Sequence, residues 1–176
     1  MFSERVLLLE ENLGLCFLQL PHYFSMQDQD RLKKLLSALP REIKTVVEFR
    51  NPEFFSEQRL KPEWVDTLAG AFIGSVCIDT PGERRIAHVS LTSTRILIRF
   101  LGANLHESDH PRLKEWAERV ATWHVNGMKE IYFILHEPDN SLAPQAAEIF
   151  IEALNSALGL KNASPAVPKI QWSHLI

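Results

Sequence analysis

The chain has 176 residues, 45% of them hydrophobic and 23% charged, and its formal net charge is −3. That composition supports one globular domain with a single core, and the acidic balance argues against a general nucleic-acid coat, whose binding is driven by neutralising phosphates. No run reaches the ~18 consecutive apolar residues of a membrane span, and the start, Met1-Phe2-Ser3-Glu4-Arg5, lacks the pattern of a signal peptide, so a cytoplasmic location is the expectation.

Residues 1–12 read as the end of a helix. Residues 13–20 (LGLCFLQL) read as a first buried strand. A helix is expected over 28–39, with Leu32, Leu35, Leu36 and Leu39 on one stripe and Pro40 as its stop. The second strand is 43–49 (IKTVVEF). Helical spacing returns over 62–72, with Trp64, Val65, Leu68 and Phe72. Two more strands follow, 73–79 (IGSVCID) and 95–100 (RILIRF). A helix over 112–125 carries Leu113, Trp116, Ala117, Val120 and Trp123; Ser108-Asp109 can cap its start, and Pro111 suits a first turn. The fifth strand is 130–136 (EIYFILH). A last helix, 144–158, puts Ala147, Ile151, Leu154 and Leu158 on one face. Residues 1–160 then form the domain, and 161–176, with Pro165 and Pro168, an irregular extension.

Strand runs that are apolar throughout suit a sheet covered on both faces. Their alternation with helical patterns means parallel strands joined by crossovers. The fold class is therefore α/β, as a doubly wound sheet or a (β/α) barrel, with ligands expected at the strand C-termini in either case. No Gly-rich phosphate loop follows any strand, which counts against a dinucleotide site. Cys16 and Cys77 sit inside apolar runs and read as buried free thiols.

Every strand ends in polar groups. The first delivers Gln19, the second Glu48, Arg50 and Asn51, the third Asp79, the fourth Arg99, and the fifth His136 and Glu137. Each has a plain alternative. Glu48 and Arg50 could be a buried ion pair that only satisfies itself. Asp79, before Thr80-Pro81, could be a turn former. Gln19 could simply bond to backbone. Arg99 lies within an apolar strand, where an unpaired charge is costly, so it calls for a carboxylate partner or an anionic ligand. His136 and Glu137 are adjacent and point to opposite faces while the strand lasts. His106 and His110 have i, i+4 spacing, but no third ligand accompanies them, so no metal is expected. His88 and His174 read as solvent-facing. No serine or cysteine sits in a nucleophile elbow.

At these strand ends the sequence resembles a known family. Leu13-Gly14-Leu15, followed by Phe17-Leu18-Gln19-Leu20-Pro21, resembles its "LG…FQLP" strand. Val47-Glu48-Phe49-Arg50-Asn51-Pro52 resembles "VEFRHP", and Asp79-Thr80-Pro81 matches "DTP". Arg99-Phe100-Leu101-Gly102 is similar to "RLHG", and Ile131-Tyr132-Phe133 to the "VYVYFNN" strand. The family is domain of unknown function 72, also called YecE-like, a TIM-barrel group, and the resemblance runs over about 13–158. It implies a partial (β/α) TIM-type barrel of about five parallel strands with flanking helices. Leu101 stands where the family has His, and His136-Glu137 where it has Asn-Asn. His106 and Asp109 resemble a variant branch. The family's opening "GTSGWSY" strand and the next units have no counterpart. A full barrel takes about 250 residues and eight strands, so the chain is roughly 70 residues short and is expected to be the C-terminal portion of one.

The resemblance supplies no activity. The candidate catalytic residues are Glu48 and Asp79; the candidate substrate-binding residues are Gln19, Arg50, Asn51, Arg99, His106 and His136. Arginine forks suit phosphate or carboxylate. A hydrolase-like site for a phosphoester or glycoside is one reading. The others are a non-catalytic module for an anionic ligand or nucleic acid, and an inactive truncated fragment. The cofactor stays open. The expected partners are an anionic small molecule and either the missing N-terminal barrel portion or a second copy of the chain, with no membrane.

Overall fold

The computed structural model describes residues 2–82 and 85–161. All of the expected extension except residue 161 lies outside them, and so does His174. In chain order, α1 (Phe2–Leu7) leads to β1 (Cys16–Gln19), α2 (Gln29–Ala38) and β2 (Thr45–Glu48). A short hairpin, β3 (Phe55–Ser56) and β4 (Arg59–Leu60), precedes α3 (Pro62–Gly70) and β5 (Gly74–Asp79). Then come β6 (Arg95–Leu101), α4 (Asp109–Val125), β7 (Glu130–His136) and α5 (Ala143–Leu158). Among the described residues no helix is long and apolar enough to cross a membrane.

The five-stranded parallel sheet has the order β1-β2-β5-β6-β7. Strands follow one another across it in chain order, without the reversal that defines a doubly wound sheet. The fold is the partial (β/α) barrel type. Contacts divide the described residues into two units, one within Met1–Leu101 and Gly127–Ile134, the other within Gly102–Asn126 and Leu135–Ile176.

In the first unit the sheet is apolar on both faces. One face packs Val47, Phe49 and Leu20 against Leu32 and Leu36 of α2 and Trp64 and Leu68 of α3. Phe49, Phe54 and Trp64 form a ring cluster with centroids 4.8–5.4 Å apart. Trp64 is fully buried, and truncating such a residue costs about 3–5 kcal/mol. The opposite face holds Val46, Val76, Ile78 and Leu97. Register sorts the two sets, since Val46 pairs with Gly74 and Val76 with Leu97, and alternate residues point to opposite faces.

Four expectations need correction. Phe72 is not on a helix: α3 ends at Gly70, and Phe72 has φ 58° and is exposed, under the Arg41 guanidinium. Leu35 is exposed too, so α2 buries only Leu32 and Leu36. Cys77 is buried, but Cys16 is only partly so; burial still raises its thiol pKa.

The fourth concerns the β5–β6 connection, whose described residues contain no helix. Its stretch Ala87-His88-Val89-Ser90-Leu91-Thr92 repeats with period two, and polar side chains are the ones turned inward. His88 and Thr92 are buried, while Val89 and Leu91 are exposed. Side chains fasten this extended segment. The Thr92 hydroxyl donates to the Ile73 carbonyl at 2.8 Å, Ser75 Oγ donates to the Ser90 carbonyl, and Ser90 Oγ accepts from Leu60 N–H at 3.0 Å. His88 is therefore not solvent-facing. Its ring lies 5.2 Å from Phe55, and Nδ1 accepts from the Ser90 N–H at 3.1 Å.

In the second unit α4 packs on α5. The former buries Leu113, Trp116, Ala117 and Val120, the latter Ala146 and Phe150. The expected stripe Ala147, Ile151, Leu154 and Leu158 is only partly buried.

Desolvation lowers the His88 pKa from 6.5 to about 4, opposed by a hydrogen bond to the Val76 backbone. Between those values the unfolded chain binds a proton that the folded chain refuses. Stability from this group is thus complete above pH 6.5 and is lost as pH falls toward 4. From pH 7 to pH 4.5 the loss should be about 2–3 kcal/mol. Urea denaturation at the two pH values should show a smaller drop in His88→Asn, which keeps an acceptor for Ser90 N–H but cannot titrate.

Candidate functional site

β2 ends on Glu48, and its side chain is fully buried. Parallel pairing sets Gln19 of β1 beside it. Arg99, from the middle of β6, is in register with Ile78 and shares a face with Leu97. Its Nη1 donates to Glu48 Oε2 at 2.6 Å and reaches Gln19 Oε1 at 3.4 Å. The guanidinium carbon lies 5.6 Å from the centroid of the Phe17 ring. Arg50, two residues past Glu48, brings Nε to 3.0 Å from Glu48 Oε1. That approach is an ion pair by distance, yet its angle makes no hydrogen bond, since both atoms are buried without one.

The group holds one carboxylate and two guanidiniums. A carboxylate without water is tolerated only when charged donors replace the water. Here Arg99 donates directly and Arg50 adds its charge at contact distance. The arginine side chains stay 24% and 31% exposed. The cluster therefore shows one net positive charge to solvent.

Other expected site residues lie elsewhere. Asp79 is buried at the end of β5, but its register partner is Phe100, so alternation sends it to the face opposite Ile78 and Arg99. Asn51 is engaged in holding loops. Its Oδ1 accepts from Glu53 N–H at 2.9 Å, and its Nδ2 donates to the His22 carbonyl at 3.1 Å. His106 and His136 belong to the second unit and are both exposed. His106 Nδ1 sits 2.9 Å from Ser108 Oγ. The backbone carbonyl of His136 accepts from Gly102 N–H at 2.8 Å. Among the described residues no group of three or more His, Cys, Asp or Glu could hold a metal.

Glu137 and Asp109, named from the sequence as a strand end and a helix cap but given no site role, are both fully buried in the second unit. Glu137 Oε2 accepts from Asn104 N–H at 2.8 Å, and Asp109 Oδ2 accepts from Ala103 N–H at 2.7 Å. Arg112 closes the other side of Asp109 at 2.9 Å. Just after these N–H donors, Asn104 and Leu105 both adopt left-handed backbone, with φ 59° and 57°. Gly102 makes room: a Cβ there would collide with both carboxylate oxygens of Glu137. The signal was the glycine directly after β6, read only as part of a motif.

The comparisons with known proteins agree with this architecture. A family model described as "Protein of unknown function DUF72" matches residues 1–171, beyond the stretch 13–158 expected from the sequence. The protein named UPF0759 protein YecE, from Escherichia coli K12 and from O157:H7, is 28% identical over 96% of this chain and 68% of its own length. A DUF72 family structure from Thermotoga maritima MSB8 superposes with TM-score 0.65 at 22% identity, over 88% of this chain and 63% of that one. One from Enterococcus faecalis V583 gives 0.62 at 15% identity, over 82% and 60%. The chain thus spans less than two thirds of the length of these solved relatives.

Two expected outcomes test the charge networks. Glu48→Ala strands two arginines and should cost about 3–5 kcal/mol in urea denaturation; adding Arg99→Ala should cost much less than its effect alone, because the pair is already broken. Gly102→Ala should cost about 1–3 kcal/mol through overpacking, and most of that cost should vanish in a Glu137→Ala background, measured as a double-mutant cycle.

Proposed function

The chain belongs to the DUF72 family, and from that premise we propose that Arg50 and Arg99 bind an anionic small molecule, a phosphoester or carboxylate, with Glu48 positioning both guanidiniums. The family description carries no activity, so the site has to carry the reading. The observation behind it is the ratio of two partly exposed guanidiniums to one buried carboxylate. Arginine's planar fork matches the geometry of phosphate and carboxylate oxygens. Gln19, within reach of Arg99, adds an amide that can orient the ligand. The reading keeps the cytoplasmic location expected from the sequence.

Hydrolysis draws less support. It asks Glu48 and Asp79 to flank one substrate, and the β5 register separates their faces. It also asks Glu48 for a proton transfer while its oxygens face two arginines. Glu48 is therefore read as a positioning residue for binding. His106 and His136 carry no part of the proposal.

Differential scanning fluorimetry tests it. A ligand bound only by the folded chain stabilises it by mass action, by about 2.7 kcal/mol at a hundred times its Kd, and so raises the melting temperature. Sulfate also stabilises proteins generally by exclusion from their surface, so the readout is the difference between proteins. Low-millimolar phosphate or sulfate should raise the melting temperature of the parent chain. The gain should disappear in Arg99→Ala and in Arg50→Ala and persist in Lys44→Ala, whose ammonium pairs instead with Glu130. An undiminished gain in Arg99→Ala would remove the site.

A further inference from the structure

The sheet ends on two open strands. Among the described residues β1 is bonded only to β2, and β7 lies last in the order beside β6. A bare strand edge presents unpaired N–H and C=O groups that template another strand. One sheet face adds apolar area at both ends. Phe17 pairs in register with Val46 and so lies on the Glu48 face, where it is 41% exposed. On β7, Phe133 stacks on Phe100 at 6.2 Å, which assigns it to the face opposite Arg99. Tyr132 and Ile134 therefore share the face of Phe17, and they are 36% and 47% exposed. Ahead of β1, α1 has no buried residue, and Leu8 and Leu9 after it are exposed as well.

We propose that these two edges and the apolar face between them are an interface for a β/α polypeptide segment, equivalent to the part of the longer DUF72 proteins that this chain does not match. The chain covers 60% and 63% of two solved relatives and 68% of YecE, so about a third or more of each of those proteins lies outside the shared fold. The segment presents strands for both edges and apolar side chains for Phe17, Tyr132 and Ile134. A second copy fits less well. A two-fold axis along the curled sheet would pair β1 of each copy with β7 of the other, but the five strands of each copy would then make a barrel of about ten strands, where this barrel type takes about eight. This inference does not rest on the anion-binding reading, although Phe17 lies on the same face, 5.6 Å from the Arg99 guanidinium.

The test mixes the purified 176-residue chain with the stretch of Escherichia coli YecE that it does not match, followed by light scattering and thermal melting. We expect a 1:1 complex with a raised melting temperature. Ile134→Asp and Leu9→Asp should each weaken assembly at least tenfold, while unchanged far-UV circular dichroism shows that the variants fold. Three results would overturn the inference: a monodisperse, cooperatively melting monomer that ignores the segment, a dimer of the chain that excludes it, or a complex indifferent to Ile134→Asp.

Discussion

The Glu48 carboxylate is shut off from water, and the first unit is arranged around that fact. A bare carboxylate in such a place would cost several kcal/mol. The chain meets the cost by drawing in Arg99 from β6, 51 residues away in sequence, and Arg50 from just beyond β2. Gln19 joins from β1. One buried charge thus ties the C-terminal ends of β1 and β2 to the middle of β6. Any slip of one residue in register would turn Glu48 toward Leu32 and Trp64 and break the arrangement, so the ion cluster and the apolar alternation enforce the same register.

Much of this was legible in the sequence. The five strands announce themselves as apolar runs, and their polar ends mark where ligands bind in parallel α/β folds. Glu48, Arg50 and Arg99 were singled out because charges in or beside such runs need partners. Facing was less legible, because period two makes it hinge on one residue. Asp79 alternates away from Arg99, and Glu137 is buried where its neighbour His136 is exposed. His88 was misread for a related reason. Its burial is imposed by contacts with β5 and Phe55, and the local pattern shows only polar residues alternating with apolar ones.

The second unit settles buried charge differently. Glu137 and Asp109 accept from backbone N–H groups of Asn104 and Ala103, with Arg112 as a cationic partner of Asp109. Ala103 lies six residues from Asp109, whereas Asn104 reaches Glu137 across 33 residues. The loop after β6 is shaped by them, through the left-handed Asn104 and Leu105 and the side-chain-free Gly102. Side-chain ion pairs fix strands in the first unit; hydrogen bonds from backbone N–H groups fix a loop in the second.

The segment that joins β5 to β6 has a kinetic consequence. A helix makes its hydrogen bonds from its own neighbouring residues, whereas Ser90 and Thr92 bond to Leu60, Ser75 and Ile73, residues 15 to 30 positions away. Such contacts can form only after their partners are in place. The segment is thus expected to dock late in folding and to open more readily than the sheet it covers. Its amide protons should therefore exchange with solvent ahead of those in the sheet it covers, making this stretch a natural hinge for local unfolding.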